Sequence, residues 1–265
     1  MRLHATGSVC LLAVLGLACA PSPRSPRSPQ PGQPHVTVLT YNVNFGLAGE
    51  PGVIETIRRA DADLVLLQET TPAWEAELRA GLASAYPWME FHHEPGAGGL
   101  GVLARRPFEV KEYLPAPSGW FPAARLVART PLGPVQVLNV HLRPPFASGE
   151  GYLSGYMRSR GVRRAEIAAF HARLDPRLPT LVVGDFNEDE GGRAVRFLAA
   201  RGLRTVLPDF QPRGQTWRWH TSLGTLRARL DHIACDGRLE PLGARIVAGG
   251  ESDHLAVLAT FVAAR

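Results

Sequence analysis

Short apolar segments of about the length of a buried strand recur throughout residues 35–265. Residues 35–41 alternate with period 2, whereas residues 64–67 and 181–183 are continuous apolar runs, as in strands covered on both faces. Between these segments, apolar residues recur at helical spacing. Further strand patterns cover residues 100–104, 108–113, 123–129, 134–140, 226–235, 242–247 and 255–262, and helical patterns cover residues 51–60, 72–83, 160–174 and 193–201. The alternation predicts an α/β fold with mixed sheets flanked by helices.

The length of 265 residues allows one large α/β domain or two small ones. Neither a second linker nor a detectable repeat interrupts residues 35–265, which favours one domain. With 45% hydrophobic and 20% charged residues the chain is typical of globular proteins. A domain of this size forms its core without a structural metal or disulfide, so any bound metal is expected to be catalytic.

The first 20 residues predict export. A basic start precedes an apolar run over residues 9–20 that is too short to span a bilayer, as in a secretory signal. The segment from Gly16 to Cys19 resembles a bacterial lipobox, which predicts a lipid-modified Cys19, although Gly16 replaces the usual aliphatic residue. Cleavage after Ala20, followed unfavourably by Pro21, would give a secreted protein, and an uncleaved anchor is the third alternative. We expect a cell envelope lipoprotein or secreted protein.

Residues 21–34 are rich in proline, serine and arginine and predict an extended linker between the signal and the domain. Such a spacer would hold a membrane-anchored domain clear of the surface. Only Cys235 lies outside the signal, so no disulfide can form within the remaining chain.

The net charge of +5 overstates how basic the domain is. Three arginines, Arg2, Arg24 and Arg27, lie in the first 34 residues, which contain no acidic residue, so residues 35–265 carry only +2. This charge is too weak for a broad nucleic-acid surface without a clustered basic face. One local cluster remains, formed by Arg158, Arg160, Arg163 and Arg164.

Polar residues stand next to these apolar runs at six places. They are Asn42, Glu69, Asn139 with His141, Asp185 with Asn187, Asp231 with His232, and Asp253 with His254. Open α/β folds place their chemistry at strand ends. Each residue alone has a structural alternative: Glu69 as a helix cap, for example, or Asp231 in a salt bridge with Arg229. Their joint occurrence favours a catalytic site.

These motifs, in this order, resemble the endonuclease/exonuclease/phosphatase superfamily, which includes pancreatic-type deoxyribonuclease and neutral sphingomyelinases. The segments concerned are residues 41–43, 67–69, 139–142, 184–187, 229–233 and 252–254. Residues 98–107 are similar to another family segment, with Ala104 in place of the usual serine. The resemblance implies a four-layer α/β sandwich of two mixed β-sheets packed face to face, with residues 35–265 as the catalytic domain.

Phosphoester hydrolysis requires neutralised phosphate charge and an activated water. Oxygen ligands suit Mg²⁺ or Mn²⁺, and Glu69, Asn42 and Asp253 are the candidate metal ligands. The resemblance implies that Asp185 orients or deprotonates the water and that Asn187 holds the same phosphate region. It also implies that Asp231 fixes the His254 ring, and that His141 donates a hydrogen bond to a phosphate oxygen.

The substrate is less constrained by the sequence. Residues 144–157 form either a loop at the site, with Arg143 binding phosphate, or a surface connection followed by the solvated start of a helix. Trp217 and Trp219 are core aromatics or stack on a base or lipid. We therefore expect a monomeric, exported, metal-dependent hydrolase of the phosphodiesterase or nuclease type. The alternatives are a phospholipid (sphingomyelinase-like) or inositol-phosphate hydrolase and a non-catalytic binding module. The partners would be nucleic acid, nucleotide or phospholipid headgroup, and the membrane through Cys19.

Overall fold

The computed structural model describes residues 22–145, 152–222 and 224–265, so the predicted signal and Cys19 lie outside the described residues. The strands are β1 Val36–Asn42, β2 Leu64–Gln68, β3 Trp88–His92, β4 Leu100–Ala104, β5 Phe108–Leu114, β6 Ala123–Thr130, β7 Gly133–His141, β8 Thr180–Asp185, β9 Arg204–Thr205, β10 Trp217–Thr221, β11 Gly224–Ala228, β12 Asp231–Cys235, β13 Leu239–Val247 and β14 Ala256–Ala263. The helices are α1 Pro51–Ala60, α2 Pro72–Leu82, α3 Tyr152–His171, α4 Arg193–Ala199 and α5 Leu207–Phe210, with a 3-10 turn at Gly96–Gly98.

Two six-stranded mixed sheets make up the domain. The first has the order β13-β14-β1-β2-β4-β3 and the second the order β5-β6-β7-β8-β12-β9. The pairs β1–β2 and β7–β8 are parallel, and the other strand pairs of the two sheets are antiparallel. One apolar core lies between the sheets, and two others lie under the helices on their outer faces. The predicted four-layer sandwich is confirmed.

Helices α1 and α2 form where the sequence supplies both an apolar face and a cap. In α1, Val53 and Ile57 are buried, and the Glu50 carboxylate accepts hydrogen bonds from the backbone N–H groups of Gly52 and Val53. Thr71 caps α2 by accepting from Trp74 N. Glu69 therefore does not serve as the cap of this helix, and its side chain is available to the site.

A polar contact joins the two sheets beneath the strand ends. Gln68 Nε2 of β2 donates to Asn139 Oδ1 of β7 at 2.7 Å, and Asn139 Nδ2 donates to the Leu67 carbonyl at 3.1 Å. Both side chains are fully buried. Because each buried polar group has a partner, the contact fixes the relative register of the sheets at the level of the site.

Three local expectations from the sequence were wrong. The helix predicted from residue 160 begins at Tyr152, so part of the segment expected to be a loop is helical. The single strand predicted over residues 226–235 is two strands, because β11 pairs with β10 whereas β12 pairs with β8. Strands β3 and β10 have no clear period and were not predicted. In each case non-local packing outweighs the local pattern.

The proline-rich segment lies against the domain. Residues 22–34 contain neither helix nor strand, as predicted. However, Arg24 N donates to the Asp209 carbonyl at 2.7 Å and Arg27 N to the Leu242 carbonyl at 2.8 Å. The Arg27 guanidinium also pairs with Glu240. Backbone hydrogen bonds thus dock residues 24 and 27 on α5 and β13, and the role of this segment as a spacer stays a prediction. None of the helices in the described ranges is long and apolar enough to cross a membrane.

Candidate active site

The polar residues predicted at strand ends converge at one edge of the sandwich. In the second sheet, Asp185 is paired in register with His141 on one side and Asp231 on the other. In the first sheet, Asn42 ends β1 and Glu69 follows β2. A cavity of about 410 Å³ opens there, lined by Glu69, Ala97, Phe121, His141, Pro144, Pro145, Asp185, Asn187, Trp217, Trp219, Leu230, Asp253 and His254.

Asp185 is the centre of this arrangement. Its Oδ2 accepts from Asn42 Nδ2 at 3.1 Å and lies 3.5 Å from His141 Nε2 and 3.6 Å from His254 Nε2. The carboxylate is almost completely buried. Gly184 is required beside it, since φ is +135° and a Cβ there would lie 1.9 Å from the Val140 carbonyl oxygen. One carboxylate oxygen thus faces two imidazoles and an amide.

Asn42 and Glu69 form the other half of the centre. Asn42 Nδ2 donates to Glu69 Oε1 at 2.9 Å, and Glu69 Oε2 accepts from Phe45 N at 3.2 Å. Glu69, Asn42 and Asp185 therefore bring carboxylate and amide groups to one point, without a thiolate. This donor set fits a hard divalent cation such as Mg²⁺ or Mn²⁺.

Asp253 lines the same cavity but is held separately. Its Oδ1 accepts from Asn44 Nδ2 at 3.1 Å and its Oδ2 accepts from Trp217 Nε1 at 3.0 Å. Both carboxylate oxygens thus have a protein donor. Each oxygen keeps a second lone pair, as in Glu69, and the assignment of Asp253 as a ligand stays a prediction.

His254 and Asp231 form the buried pair that the resemblance implied. His254 Nδ1 lies 2.9 Å from Asp231 Oδ2 and 3.1 Å from Oδ1. Burial alone would lower the pKa of His254, but Asp231, and then Asp185, raise it to about 10. Burial raises the pKa of Asp231, and His254 opposes that shift. The arrangement favours an imidazolium whose Nε2 points at Asp185.

Two further contacts hold this pair in place. Thr216 Oγ1 accepts from the backbone N–H of Asp231 at 3.1 Å, and Ser252 Oγ accepts from His254 N at 3.2 Å. The proposed salt bridge between Asp231 and Arg229 is wrong. The Arg229 guanidinium instead contacts Glu190, and it donates to the Gly214 carbonyl at 2.7 Å.

The ligand atoms of Asp185, Asp231 and His254 lie within 4.8 Å of one another and constitute a possible acidic and histidine metal site. The His254 ring lies between the two carboxylates, and its raised pKa keeps both ring nitrogens protonated at neutral pH. A protonated imidazole nitrogen has no lone pair for a metal. We therefore expect these residues to hold a proton, and ligation of a cation by Glu69 and Asn42 stays a prediction.

His141 is fixed by a backbone carbonyl and an aromatic ring. Its Nδ1 lies 3.1 Å from the Ala97 carbonyl oxygen, and Phe121 stacks on the ring at 4.3 Å between centroids. Because the carbonyl can only accept, Nδ1 carries a proton. Nε2 can donate to a phosphate oxygen, as the resemblance implied, when the ring is doubly protonated.

Asn187 reaches the cavity by a turn. Asp185 and Asn187 do not share a side of an extended segment, because β8 ends at Asp185 and Asn187 has φ +51°. Its backbone N–H donates to Asp185 Oδ1 at 2.8 Å, and its Nδ2 donates to the Leu142 carbonyl at 2.9 Å. The turn still leaves Asn187 on the cavity wall.

Left-handed backbone conformations are concentrated at this site. Of the four non-glycine residues with positive φ in the described ranges, Asn44, Glu69 and Asn187 belong to it, with φ of 60°, 63° and 51°. A glutamate in this region is uncommon and is maintained by surrounding contacts, here the bonds from Asn42 and Phe45 to its carboxylate.

We call Asn42, Glu69, His141, Asp185, Asp231 and His254 the floor of the site, and Trp120, Phe121, Arg143 and Trp219 its rim. The Arg143 guanidinium lies 4.6 Å from the centroid of the Trp120 ring. Glu166 and Arg163 hold the Arg143 backbone from behind, at 3.0 Å and 3.1 Å. Phosphate binding by Arg143 stays a prediction, because its side chain is engaged with Trp120.

The two tryptophans of the motif at residues 216–219 differ. Trp217 is buried and donates to Asp253, whereas Trp219 stacks on Trp217 at 6.3 Å and is 53% exposed. Sequence reasoning missed Asn44, Phe121 and Thr216. Thr216 directly precedes the tryptophans, which is a usable signal, but nothing in the local sequence marks Phe121 as the ring that covers a histidine.

The sequence model of the endonuclease/exonuclease/phosphatase family matches residues 39–254. The chain belongs to this family. Its members are metal-dependent phosphoester hydrolases, and the matched range contains every residue of the floor and rim. A comparison with curated protein sequences gives no match.

Solved structures share the fold at low sequence identity. An endonuclease/exonuclease/phosphatase from Beutenbergia cavernae DSM 12333 is 20% identical with a TM-score of 0.64, covering 88% of this chain and 72% of that one. D. rerio TDP2 complexed with a single strand DNA product is 18% identical with a TM-score of 0.65, covering 86% and 98%. The human Nocturnin catalytic domain with bound sulfate is 17% identical with a TM-score of 0.59, covering 87% and 95%.

Proposed function

We propose that this protein is an exported phosphodiesterase of the nuclease type that requires Mg²⁺ or Mn²⁺. The observation that carries the proposal is the surroundings of Asp185. One buried carboxylate oxygen faces Asn42, His141 and His254 within 3.1–3.6 Å, at the bottom of an open cavity. The donors can bind the oxygens of a tetrahedral phosphate, and the carboxylate can hold the water that attacks it.

His254 and His141 bind the phosphoryl oxygens in this mechanism. His254 is held as an imidazolium by Asp231, so its Nε2 proton is available to an anionic oxygen. His141 donates from Nε2 in the same direction, while the Ala97 carbonyl fixes its ring. Two donors that are already oriented stabilise developing negative charge without reorganisation.

Asp185 orients the attacking water and accepts its proton. Its Oδ1 is occupied by the Asn187 N–H, which leaves Oδ2 facing the cavity. Asn187 holds the turn that presents this oxygen, through its bond to the Leu142 carbonyl. A positioned base of this kind typically contributes 10²–10⁴-fold to a rate, as an order of magnitude.

Glu69 and Asn42, together with Asp253, would hold the divalent ion. When bound, the ion supplies positive charge to the phosphoryl and leaving oxygens. Glu69 is preset for this role by its left-handed backbone and by the two donors on its carboxylate. D. rerio TDP2, which shares the fold, was solved with a single strand DNA product, and this supports a nucleic-acid phosphodiester as substrate.

Phospholipid or inositol-phosphate hydrolysis is the second candidate. The observation that favours a lipid is the exposed aromatic surface at the rim, where Trp219 is 53% and Trp120 38% exposed. Tryptophans of this kind are found where proteins meet membrane interfaces. The same side chains would also stack on unpaired bases, so substrate assays must decide.

The deciding experiment compares substrates with the purified protein from residue 22 onward. Supercoiled plasmid, a single-stranded oligonucleotide, a chromogenic phosphodiester, sphingomyelin and inositol phosphates are each assayed with Mg²⁺, Mn²⁺ or EDTA. We expect metal-dependent cleavage of the chromogenic ester and of nucleic acid. Absence of metal-dependent turnover on every substrate would reject the catalytic proposal in favour of a binding module.

Export and lipid modification of Cys19 are part of the proposal. They rest on the signal-like residues 1–20 and the lipobox-like segment that ends at Cys19. The full-length protein and Cys19→Ser are expressed in a bacterial host and fractionated. We expect the wild type in the membrane fraction and the variant in the soluble fraction, and unchanged membrane association of the variant would reject lipidation.

A further inference from the structure

Four arginines meet in a groove between α3 and α4, outside the catalytic cavity. Arg164 comes from α3, and Arg193, Arg196 and Arg201 come from α4 and the turn after it. Together with Phe197 and Ala200 they line a groove of about 470 Å³, which we call the arginine groove. All four arginines are exposed. No carboxylate from the part of the chain that the structure describes lines the groove.

The charges of the groove are unpaired, whereas several other exposed arginines have an acidic partner. None of these four guanidinium groups forms a salt bridge within the described ranges, although Arg201 donates to the Phe197 carbonyl at 3.2 Å. Elsewhere, exposed arginines such as Arg58, Arg79 and Arg173 pair with a glutamate. Like charges placed together without partners repel, so an anionic ligand would relieve an existing cost.

Phe197 organises the groove. The guanidinium carbon of Arg201 lies 3.4 Å from the centroid of its ring, and that of Arg164 lies 5.9 Å away. Cations over a ring face are held by its quadrupole, so these two side chains have less freedom to lose on binding. His171 contacts the edge of the same ring, and its pKa is lowered by burial and by Arg201, which agrees with a positive local potential.

A buried ion pair joins α3 to the segment between Asn187 and α4. Arg163 Nε donates to Glu188 Oε2 at 3.0 Å, and both side chains are fully buried. The other Glu188 oxygen accepts from Ala194 N and Val195 N at the start of α4. Glu188 directly follows Asn187, and Arg193 is six residues from Asn187, within about 20 Å along the chain. The start of α4, which carries Arg193, is therefore bonded to the segment that follows Asn187 of the cavity wall.

We propose that the arginine groove binds the phosphate backbone of a nucleic-acid strand whose scissile phosphodiester occupies the catalytic cavity. This inference rests on the proposed function for the location of the cleaved bond. The groove itself argues for an extended polyanion: its arginines are spread over two elements, exposed and open to solvent, whereas a single small anion is usually bound by buried donors. Phosphate contacts by arginine give affinity and register without sequence preference.

The test uses paired arginine variants of equal charge change. Arg193→Ala/Arg196→Ala removes two groove charges, and Arg106→Ala/Arg129→Ala removes two exposed charges that lie near Val36, at the opposite end of β1 from Asn42. Binding of a fluorescent single-stranded oligonucleotide is measured by anisotropy in EDTA over a range of salt. Hydrolysis of a chromogenic phosphodiester in Mg²⁺ reports on the floor alone.

We expect the groove variant to bind the oligonucleotide about tenfold more weakly, with the salt-dependence slope reduced by about 0.7 per lost phosphate contact. The control variant should bind like the wild type, and both should hydrolyse the small ester normally. Equal oligonucleotide affinity in the groove variant and wild type would overturn the inference. So would loss of binding to vesicles containing anionic lipid without any change for the oligonucleotide.

These outcomes separate the two proposals. Failure of the wild type to hydrolyse any ester rejects the proposed function, whereas a groove-specific loss of oligonucleotide affinity would still support the binding surface. Normal hydrolysis together with unchanged oligonucleotide affinity would leave the enzyme intact and reject the groove.

Discussion

The floor and the rim of the site are built in opposite ways. The floor side chains Asn42, Asp185 and Asp231 are at most 1% exposed and are bonded to one another or to neighbouring strands. The rim contains Trp219 and Trp120, which are 53% and 38% exposed and are positioned mainly by ring contacts. A buried, fully bonded network suits chemistry that tolerates little movement. An exposed aromatic edge suits selection among substrates, because its side chains can be replaced without disturbing the floor.

The largest effect is expected from the centre of the floor. Asp185→Asn keeps the shape of the side chain but removes the base, so kcat on a chromogenic phosphodiester should fall about 10²–10⁴-fold. Asp189→Asn is the matched control, since Asp189 is exposed four residues away. A kcat for Asp185→Asn within a few-fold of the control would show that Asp185 does not serve as the base.

The rim is supported from behind, and removing that support should affect the whole domain. Arg163→Met leaves the Glu188 carboxylate buried without its cation, which should lower the free energy of unfolding by about 3–5 kcal/mol. Urea unfolding measures this change. Arg164→Met, at the adjacent exposed position, should stay within about 0.5 kcal/mol of the wild type. Equal stability of the two variants would contradict the role given to the ion pair.

Asp231 tests how the floor maintains a charged histidine. The pKa of His254 is raised to about 10, so the stability gained from its charged form is complete below pH 6.5 and is lost as the pH rises toward 10. Asp231→Asn should lower that pKa and move the alkaline limb of kcat/KM down by roughly one pH unit or more. Titration of activity and of unfolding against pH measures both effects.

An unchanged alkaline limb in Asp231→Asn would assign that limb to another group. Asp185 and Asp253 also face His254 and would then be the carboxylates to replace next. Asp189→Asn serves again as the control, since an exposed aspartate should leave the pH profile in place.

The smallest effect is expected at the rim. Trp219→Ala should raise KM for a single-stranded oligonucleotide by roughly tenfold, as loss of one base stack costs about 1–3 kcal/mol, and leave kcat for a small ester unchanged. Trp88→Ala is the control, because Trp88 is 46% exposed on β3, where it pairs with Ala104 away from the cavity. If KM rises for sphingomyelin and not for the oligonucleotide, the rim selects lipid.

The contrast between the floor and the rim also explains which residues of the site the sequence could predict. Floor residues interrupt apolar strand patterns, so Asn42, Asp185 and Asp231 are visible as polar residues at places where burial is expected. The two-sheet architecture follows from the same patterns together with the resemblance. Rim residues such as Phe121 lie in irregular segments without a period, and their partners are distant along the chain.

Backbone conformation was the other unpredicted part of the site. The left-handed geometry of Glu69 has no local sequence signal, since glutamate seldom adopts it and only the assembled contacts maintain it. The left-handed turn at Asn187 likewise has no local signal that distinguishes it from an extended segment. The docking of residues 24–27 depends on Asp209 and Leu242, which no local pattern brings together with them.

That docked segment sets the direction in which the enzyme would face. Arg27 is bonded to Leu242, next to Pro241, which pairs with Phe261 and through it with Val36 at the start of β1. The seven residues of β1 place Asn42 about 20 Å farther along the sandwich. Cys19 is five residues before Arg24 and so within roughly 17 Å of it. A lipid on Cys19 would hold the end of the domain at the start of β1, opposite the active site, against the bilayer. The active-site cavity would then open toward polymers in solution, away from the leaflet that carries the anchor.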